Sequence, residues 1–205
     1  MQETRVPKAT LERFPVYLKA LRKLKNDGQT TVMSSRLAEH VNILATTIRR
    51  DFSFLGRLGK QGAGYNIEHL IETFNNVLGV NFDEKIVMIG VGNLGKALFN
   101  YNRWDYVVGE IVCGFDLYEG EYDGIPIYHI ADLKEKLPEN TRIAILTASD
   151  NLQETVDNLI NCGIVGIVDF THEHIVVPSG ISLKTIDVVA TIQEIIFEAN
   201  KMSEK

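Results

Sequence analysis

The chain has 205 residues, 45% of them hydrophobic, with a formal net charge of −6. No run approaches the roughly 18 apolar residues of a membrane span, and the basic N-terminus lacks an apolar segment behind it, so the membrane is excluded as a partner and a cytoplasmic location is expected. The charge is unevenly spread: residues 1–80 carry 12 Lys or Arg against 7 Asp or Glu, and the remainder 9 against 20. A basic head on an acidic body points to a module that faces nucleic acid joined to one that does not. The two cysteines, Cys113 in an apolar run and Cys162 beside Gly163, fit reduced thiols rather than a bridge.

In the head, Thr10 is placed to cap a helix carrying Leu11, Phe14, Leu18, Leu21 and Leu24 on one face, with Pro15 tolerated in its first turn and Asn26-Asp27-Gly28 ending it. Ser34 or Ser35 is expected to cap a short second helix through Val41. A turn over Asn42–Ala45 then leads to a third helix with Ile48, Phe52 and Leu55 inward. This is the layout of a helix-turn-helix. Its last helix turns Thr46, Thr47, Arg49 and Arg50 outward, where hydroxyls and guanidinium forks meet phosphates and guanine edges. The glycine-rich segment that follows, with Gly59, Lys60, Gly62, Gly64 and Tyr65, reads as the hairpin of a winged helix. Double-stranded DNA is the expected partner. A helix over 68–84, with Leu70, Phe74, Val77 and Leu78 inward and its end at Gly79, closes the head.

From Lys85 strands and helices alternate, as a parallel α/β sheet requires. Strands are expected at 85–90, 110–115, 126–128, 142–147, 164–169 and 182–186, and helices at 93–102, 130–136, 151–161 and 188–201. The sequence GVGNLG follows Ile86–Ile89 directly, and Asp116 closes the next strand. Gly90 permits the tight bend, Gly92 lets the main chain approach a pyrophosphate, and Gly95 allows close helix–strand packing. Asn93 and Leu94 open a helix whose free N–H groups face the anion. Asp116 is expected to accept from ribose hydroxyls and, with Glu119 and Glu121 nearby, to repel a 2′-phosphate, which favours NAD(H) over NADP(H). In the last helix Val188, Ile192, Ile195, Ile196 and Ala199 form a stripe that needs a partner surface. His172 and His174 lack a third convergent ligand in the sequence, so an ordinary polar loop is expected there and no metal.

The motifs VPKAT, SSRLAEHV, TIRRDFSFLG, GKQGAGY, GVGNLGKALFNY, FD, DGIPIYHI, AILT and Ile186-Asp187 occur in one order along the chain. By these it resembles the Rex family of redox-sensing transcriptional repressors across nearly its whole length. The resemblance implies a winged-helix domain at 1–80, a Rossmann-like NAD(H)-binding domain at 81–186 and a dimerisation helix at 187–205 exchanged between subunits. It implies a homodimer on an inverted-repeat operator, released by NADH, with NAD⁺ competing without release. Position by position, it implies DNA contacts from Lys8, Arg49, Arg50, Lys60 and Tyr65. It also places Tyr101 and Thr147 near the nicotinamide and pairs Asp187 with Lys19. The chain departs from the family pattern at Thr147-Ala148-Ser149-Asp150, at Phe170-Thr171-His172-Glu173 and in the opening of the last helix. A paralogue with an altered NADH response is therefore the alternative. A small NAD-dependent oxidoreductase is a weaker one, because no second substrate domain and no base with an orienting partner stand out. No catalytic residue, and no enzyme, is expected.

Overall fold

A computed structural model describes residues 6–56, 58–60, 63–79, 84–103, 108–148 and 151–203. The chain divides into two compact units, Met1–Val80 and Asn81–Lys205.

In the first unit a short turn of helix, α1 (Lys8–Leu11), precedes α2 (Phe14–Asn26). Thr10 therefore does not cap the long helix. It is buried inside α1, and α2 starts at Phe14 with Pro15 in its first turn, where the missing N–H has no intrahelical partner to lose. A two-residue strand, β1 (Thr31–Val32), leads to α3 (Ser34–Val41). Neither serine caps α3: the N-cap is Met33, and Ser34 is the buried first residue. Asn42, left-handed at φ 52°, ends α3 and turns the chain into α4 (Ala45–Ser53). The strands β2 (Gly59–Lys60) and β3 (Gly64–Asn66) form the wing, in a sheet of order β1-β3-β2 with antiparallel pairing throughout. Asn66 caps α5 (Ile67–Leu78) by accepting the His69 N–H at 2.9 Å, and left-handed Gly79 ends it.

The core of this unit is aromatic: Phe14 stacks on Phe74 at 4.7 Å, and Phe52 meets Phe74 and Tyr17 edge-on at 5.4 and 5.7 Å. Leu21, Leu24, Leu37, Ile48 and Leu70 fill the space around them. Val77, expected inward, is 40% exposed, because in the last turn of α5 the face that continues Ile67 and Phe74 belongs to Leu78.

The second unit is a seven-stranded sheet. Its elements run β4 (Lys85–Ile89), α6 (Asn93–Phe99), β5 (Glu110–Asp116), β6 (Gly120–Tyr122), β7 (Ile125–His129) and α7 (Leu133–Lys136). They continue through β8 (Ile143–Leu146), α8 (Leu152–Asn161), β9 (Gly166–Asp169), β10 (Ser182–Thr185) and α9 (Val188–Ser203). Short 3₁₀ turns at Asn100–Arg103 and Ile130–Asp132 replace the ends of two expected helices. The strand order is β10-β9-β8-β4-β5-β7-β6, parallel except for the β6–β7 hairpin. The chain winds outward from β4 through β5 to β7 and then returns to β8 on the other side. The topological switch, where such sheets take ligands, falls between β4 and β8.

Alternation along the strands divides the core between the two faces. Val87, Ile89, Phe115 and Leu146 pack with Val156 and Leu159 of α8, while Ile86, Met88 and Ile111 pack with Phe99 of α6. Strand β6 was not expected. It turns into β7 at Asp123-Gly124, both with positive φ (54° and 81°), the backbone that a two-residue hairpin turn requires.

Candidate nucleic-acid interface and nucleotide cleft

Helix α4 buries Ile48, Asp51 and Phe52 and leaves Thr46, Arg49, Arg50 and Ser53 exposed, with Thr47 half-buried. Its rotation is fixed from within. Asp51, 1% exposed, accepts the Thr10 hydroxyl at 3.0 Å, Arg13 Nε and Nη2 at 2.7 and 2.6 Å, and the Tyr17 hydroxyl at 2.6 Å. Burial alone would raise the Asp51 pKa; the hydrogen bonds from Arg13, Tyr17 and Thr10, with the Arg13 charge, outweigh it and hold the carboxyl below its usual range. The reading face is thereby aimed by a network that joins α4 to α1 and α2. Arg49 leans toward α3 and donates from Nη1 to Ser34 Oγ at 3.1 Å.

Lys8 opens α1 and is exposed. Lys60 lies in β2, paired with Gly64. The Tyr65 ring is not free in the wing, since it packs edge-on against Phe52 of α4 at 4.9 Å and so braces the wing on that helix. Gly59 makes room for it: a Cβ there would lie 2.9 Å from the ring and 2.8 Å from the Gly64 carbonyl. Gly62, with Arg57 and Gln61, lies outside the described residues.

In the second unit the glycine turn sits at the carboxyl end of β4. Gly90 has φ 86°, and a Cβ on it would lie 2.5 Å from that of Ala148. A Cβ on Gly95 would lie 2.3 Å from the Gly90 carbonyl, so helix α6 can follow the strand this closely only with glycine there. Gly92 differs: a Cβ on it would meet nothing within 4 Å, which leaves main chain open to an incoming group. Asn93 and Leu94 are exposed in the first turn of α6, which no side chain caps. Asp116 is fixed beside them, accepting the Val91 N–H at 2.5 Å and the Leu117 N–H at 2.6 Å. A carboxylate with two bonds of this kind keeps lone pairs for two further donors, such as vicinal ribose hydroxyls. The turn, the open glycine and the acid form one surface, suited to a diphosphate and its ribose.

The far side of the switch is stitched to this turn. Thr147 donates its hydroxyl to the Gly90 carbonyl at 2.6 Å and its N–H to the Ile89 carbonyl at 2.8 Å. Ser149 and Asp150 lie outside the described residues. Tyr101, in the 3₁₀ turn after α6, packs partly against the core and accepts the Val108 N–H on its hydroxyl at 2.9 Å. In the loop after β9, Thr171 is buried and donates to Asp169 from both its amide and its hydroxyl, at 2.8 and 2.7 Å, while His172, Glu173 and His174 are exposed. Among the described residues no three His, Cys, Asp or Glu converge as metal ligands would, and no helix is long and apolar enough to cross a membrane.

Asp187 caps α9 by accepting the Ala190 N–H at 2.8 Å, and Lys19 stands on the exposed face of α2. The α9 stripe is open: Val188, Ile192, Ile195 and Ile196 are 53–60% exposed. Sequence reasoning missed Asp51, whose partners lie 34–41 residues away, and Leu44, which stands 74% exposed at the start of α4.

A winged helix and a parallel nucleotide-binding sheet in one chain define the class of ligand-responsive DNA-binding regulators. Residues 5–53 match the family described as "Putative DNA-binding protein N-terminus", and residues 81–173 match the CoA binding domain family. Redox-sensing transcriptional repressor Rex of Exiguobacterium sibiricum is 37% identical over 201 residues, covering 95% of this chain and 92% of its own. The Rex of Listeria welshimeri is 38% identical over 202 residues, covering 96% and 94%. Among solved structures, RSP in complex with β-NAD⁺ and operator DNA is similar with a TM-score of 0.85 and 26% identity, covering 97% of this chain and 94% of that one. The chain belongs to the Rex family of redox-sensing transcriptional repressors.

Proposed function

We propose that the chain is a homodimeric repressor that binds an inverted-repeat operator through its winged helix and leaves it when its second unit takes up NADH, with NAD⁺ competing for the same cleft without releasing DNA. The observation that carries this is Asp116, fixed against the glycine turn at Gly90–Gly95, in a chain whose first unit presents a basic helix aimed by a buried network. Gly90, Gly92, Asn93, Leu94 and Gly95 hold the diphosphate. Asp116 takes the adenosine ribose and disfavours a 2′-phosphate. Tyr101 and Thr147 border the nicotinamide, whose oxidation state is the signal, and the chain acts as a regulator with no residue in a catalytic role.

On the DNA side Thr46, Thr47, Arg49 and Arg50 enter the major groove, and Lys8, Lys60 and Gly62 serve the flanking backbone or minor groove, on a wing that Tyr65 braces against α4. The open stripe of α9 is covered by the second subunit, with Asp187 of one copy facing Lys19 of the other. Ligand then shifts a bistable packing and changes the separation of the two α4 helices.

The test is fluorescence anisotropy on an inverted-repeat duplex at fixed salt, with NADH and then NAD⁺ titrated into the complex. Release by NADH alone is expected, and Arg50→Ala is expected to cost about 1–3 kcal/mol of operator binding without changing NADH affinity. A second reading, a paralogue with an altered response, draws on the exposed His172, Glu173 and His174 after β9. Tight operator binding indifferent to both nucleotides would favour it.

A further inference from the structure

Leu44 is the N-cap of α4, where its apolar side chain offers the helix N–H groups no acceptor and stands 74% exposed. Two features make that position costly and give it no return in the fold. Ser, Thr, Asp and Asn are the residues that satisfy a helix N-terminus, and leucine is among the poorest there. The packing contact that often supports such a start falls to the preceding residue, because Ile43 lies against the core of the unit while Leu44 does not. Leu44 stands two residues before exposed Thr46, on the end of the helix that, in helix-turn-helix proteins, reaches base edges. An apolar side chain at that end has one apolar counterpart on the unmodified bases of the major groove, the C5-methyl group of thymine.

We propose that Leu44 is a specificity-determining residue that reads a thymine methyl in each operator half-site. The assignment rests on the reading that α4 faces the major groove. Around it, Asp51 holds the inner face of α4, Arg49 is steadied by one bond from Nη1 to Ser34 Oγ at 3.1 Å, and Arg50 stands exposed beside it to address guanine. The helix thus offers an apolar group at its start and a guanidinium about one and two-thirds turns later, two different chemistries for the groove.

The full-length protein is used to select an operator from a randomised duplex library. Each thymine of that operator is then replaced in turn by deoxyuracil, which removes only the methyl group. At one thymine per half-site the replacement is expected to weaken the wild-type protein about fourfold, the worth of one buried methyl. Leu44→Ser is expected to bind thymine and uracil duplexes equally at that site while keeping its dependence on the other bases. Serine is a favoured cap, so the variant is expected to melt no lower than the parent. Indifference of the wild type to every thymine-to-uracil exchange, or an unchanged ratio in Leu44→Ser, overturns the assignment and leaves DNA binding by α4 standing. Failure to select any duplex overturns both.

Discussion

Asp51 accepts four hydrogen bonds from three side chains, and its partners explain why a carboxylate is tolerated in an aromatic core. A buried carboxylate without donors is costly, but here Arg13 supplies a charge-assisted fork and Thr10 and Tyr17 occupy the remaining lone pairs. Removing the acid strands the Tyr17 hydroxyl and the Arg13 guanidinium together. Asp51→Ala is therefore expected to destabilise the protein by about 3 kcal/mol, read by denaturant unfolding at neutral pH; a loss below about 1 kcal/mol would contradict the role. The pH dependence follows from the direction of the shift. Because the folded state depresses the Asp51 pKa, its contribution is complete above the unfolded value of about 3.9 and disappears as pH falls below it. Tyr17 acts in the opposite direction: burial, then its bond to Asp51, raises it, so its share is complete below an unfolded value of about 10 and fades in stronger alkali. Wild type is expected to lose stability steeply below about pH 4, and Asp51→Ala to show a flatter acid limb. None of this was legible beforehand. Asp51 reads in sequence as one more polar residue of a basic helix, and long-range pairing leaves no periodic mark.

At the scale of elements, what could be read was whatever a local pattern enforces. The strand–glycine turn–helix–strand–acid series appears as expected, because close approach at Gly90 and Gly95 and the strand-end acid are all set within about thirty residues. Gly95→Ala forces a Cβ to within 2.3 Å of the Gly90 carbonyl. It is expected to cost about 1–3 kcal/mol of stability and to weaken NAD(H) binding in a titration, while operator binding by the first unit persists. Unaltered nucleotide affinity would mean the turn has slack. The β6–β7 hairpin was missed although its Asp123-Gly124 signal is present, because β6 is only three residues long and mostly exposed, so it carries no buried alternation. Thr10 and Ser34 were misread as caps for a different reason. Both residue types suit a helix start, and only tertiary structure turned Thr10 toward Asp51 and Ser34 toward Arg49.

For the molecule as a whole, the uneven charge marked the division of labour, but the destination of α9 could not be read from its stripe. The same spacing suits a helix covering its own sheet. Instead Val188, Val189, Ile192, Ile195, Ile196, Phe197 and Met202 all stand exposed, an apolar surface that soluble chains rarely leave uncovered. If a second copy covers it, Ile195→Asp is expected to convert dimers to monomers in sedimentation. It should also weaken operator binding at least tenfold, since two linked half-site contacts become one. A variant that stays dimeric with full affinity would place the interface elsewhere.

The division of α4 into an inner and an outer face has a bearing on descent. Ile48, Asp51 and Phe52 are tied into the fold, whereas Leu44, Thr46, Arg50 and Ser53 are exposed and can be exchanged with little effect on stability. A lineage carrying this helix can therefore drift to a new set of promoters through a handful of outward substitutions, each a viable protein on the way, without disturbing the machinery that senses the cell's redox state.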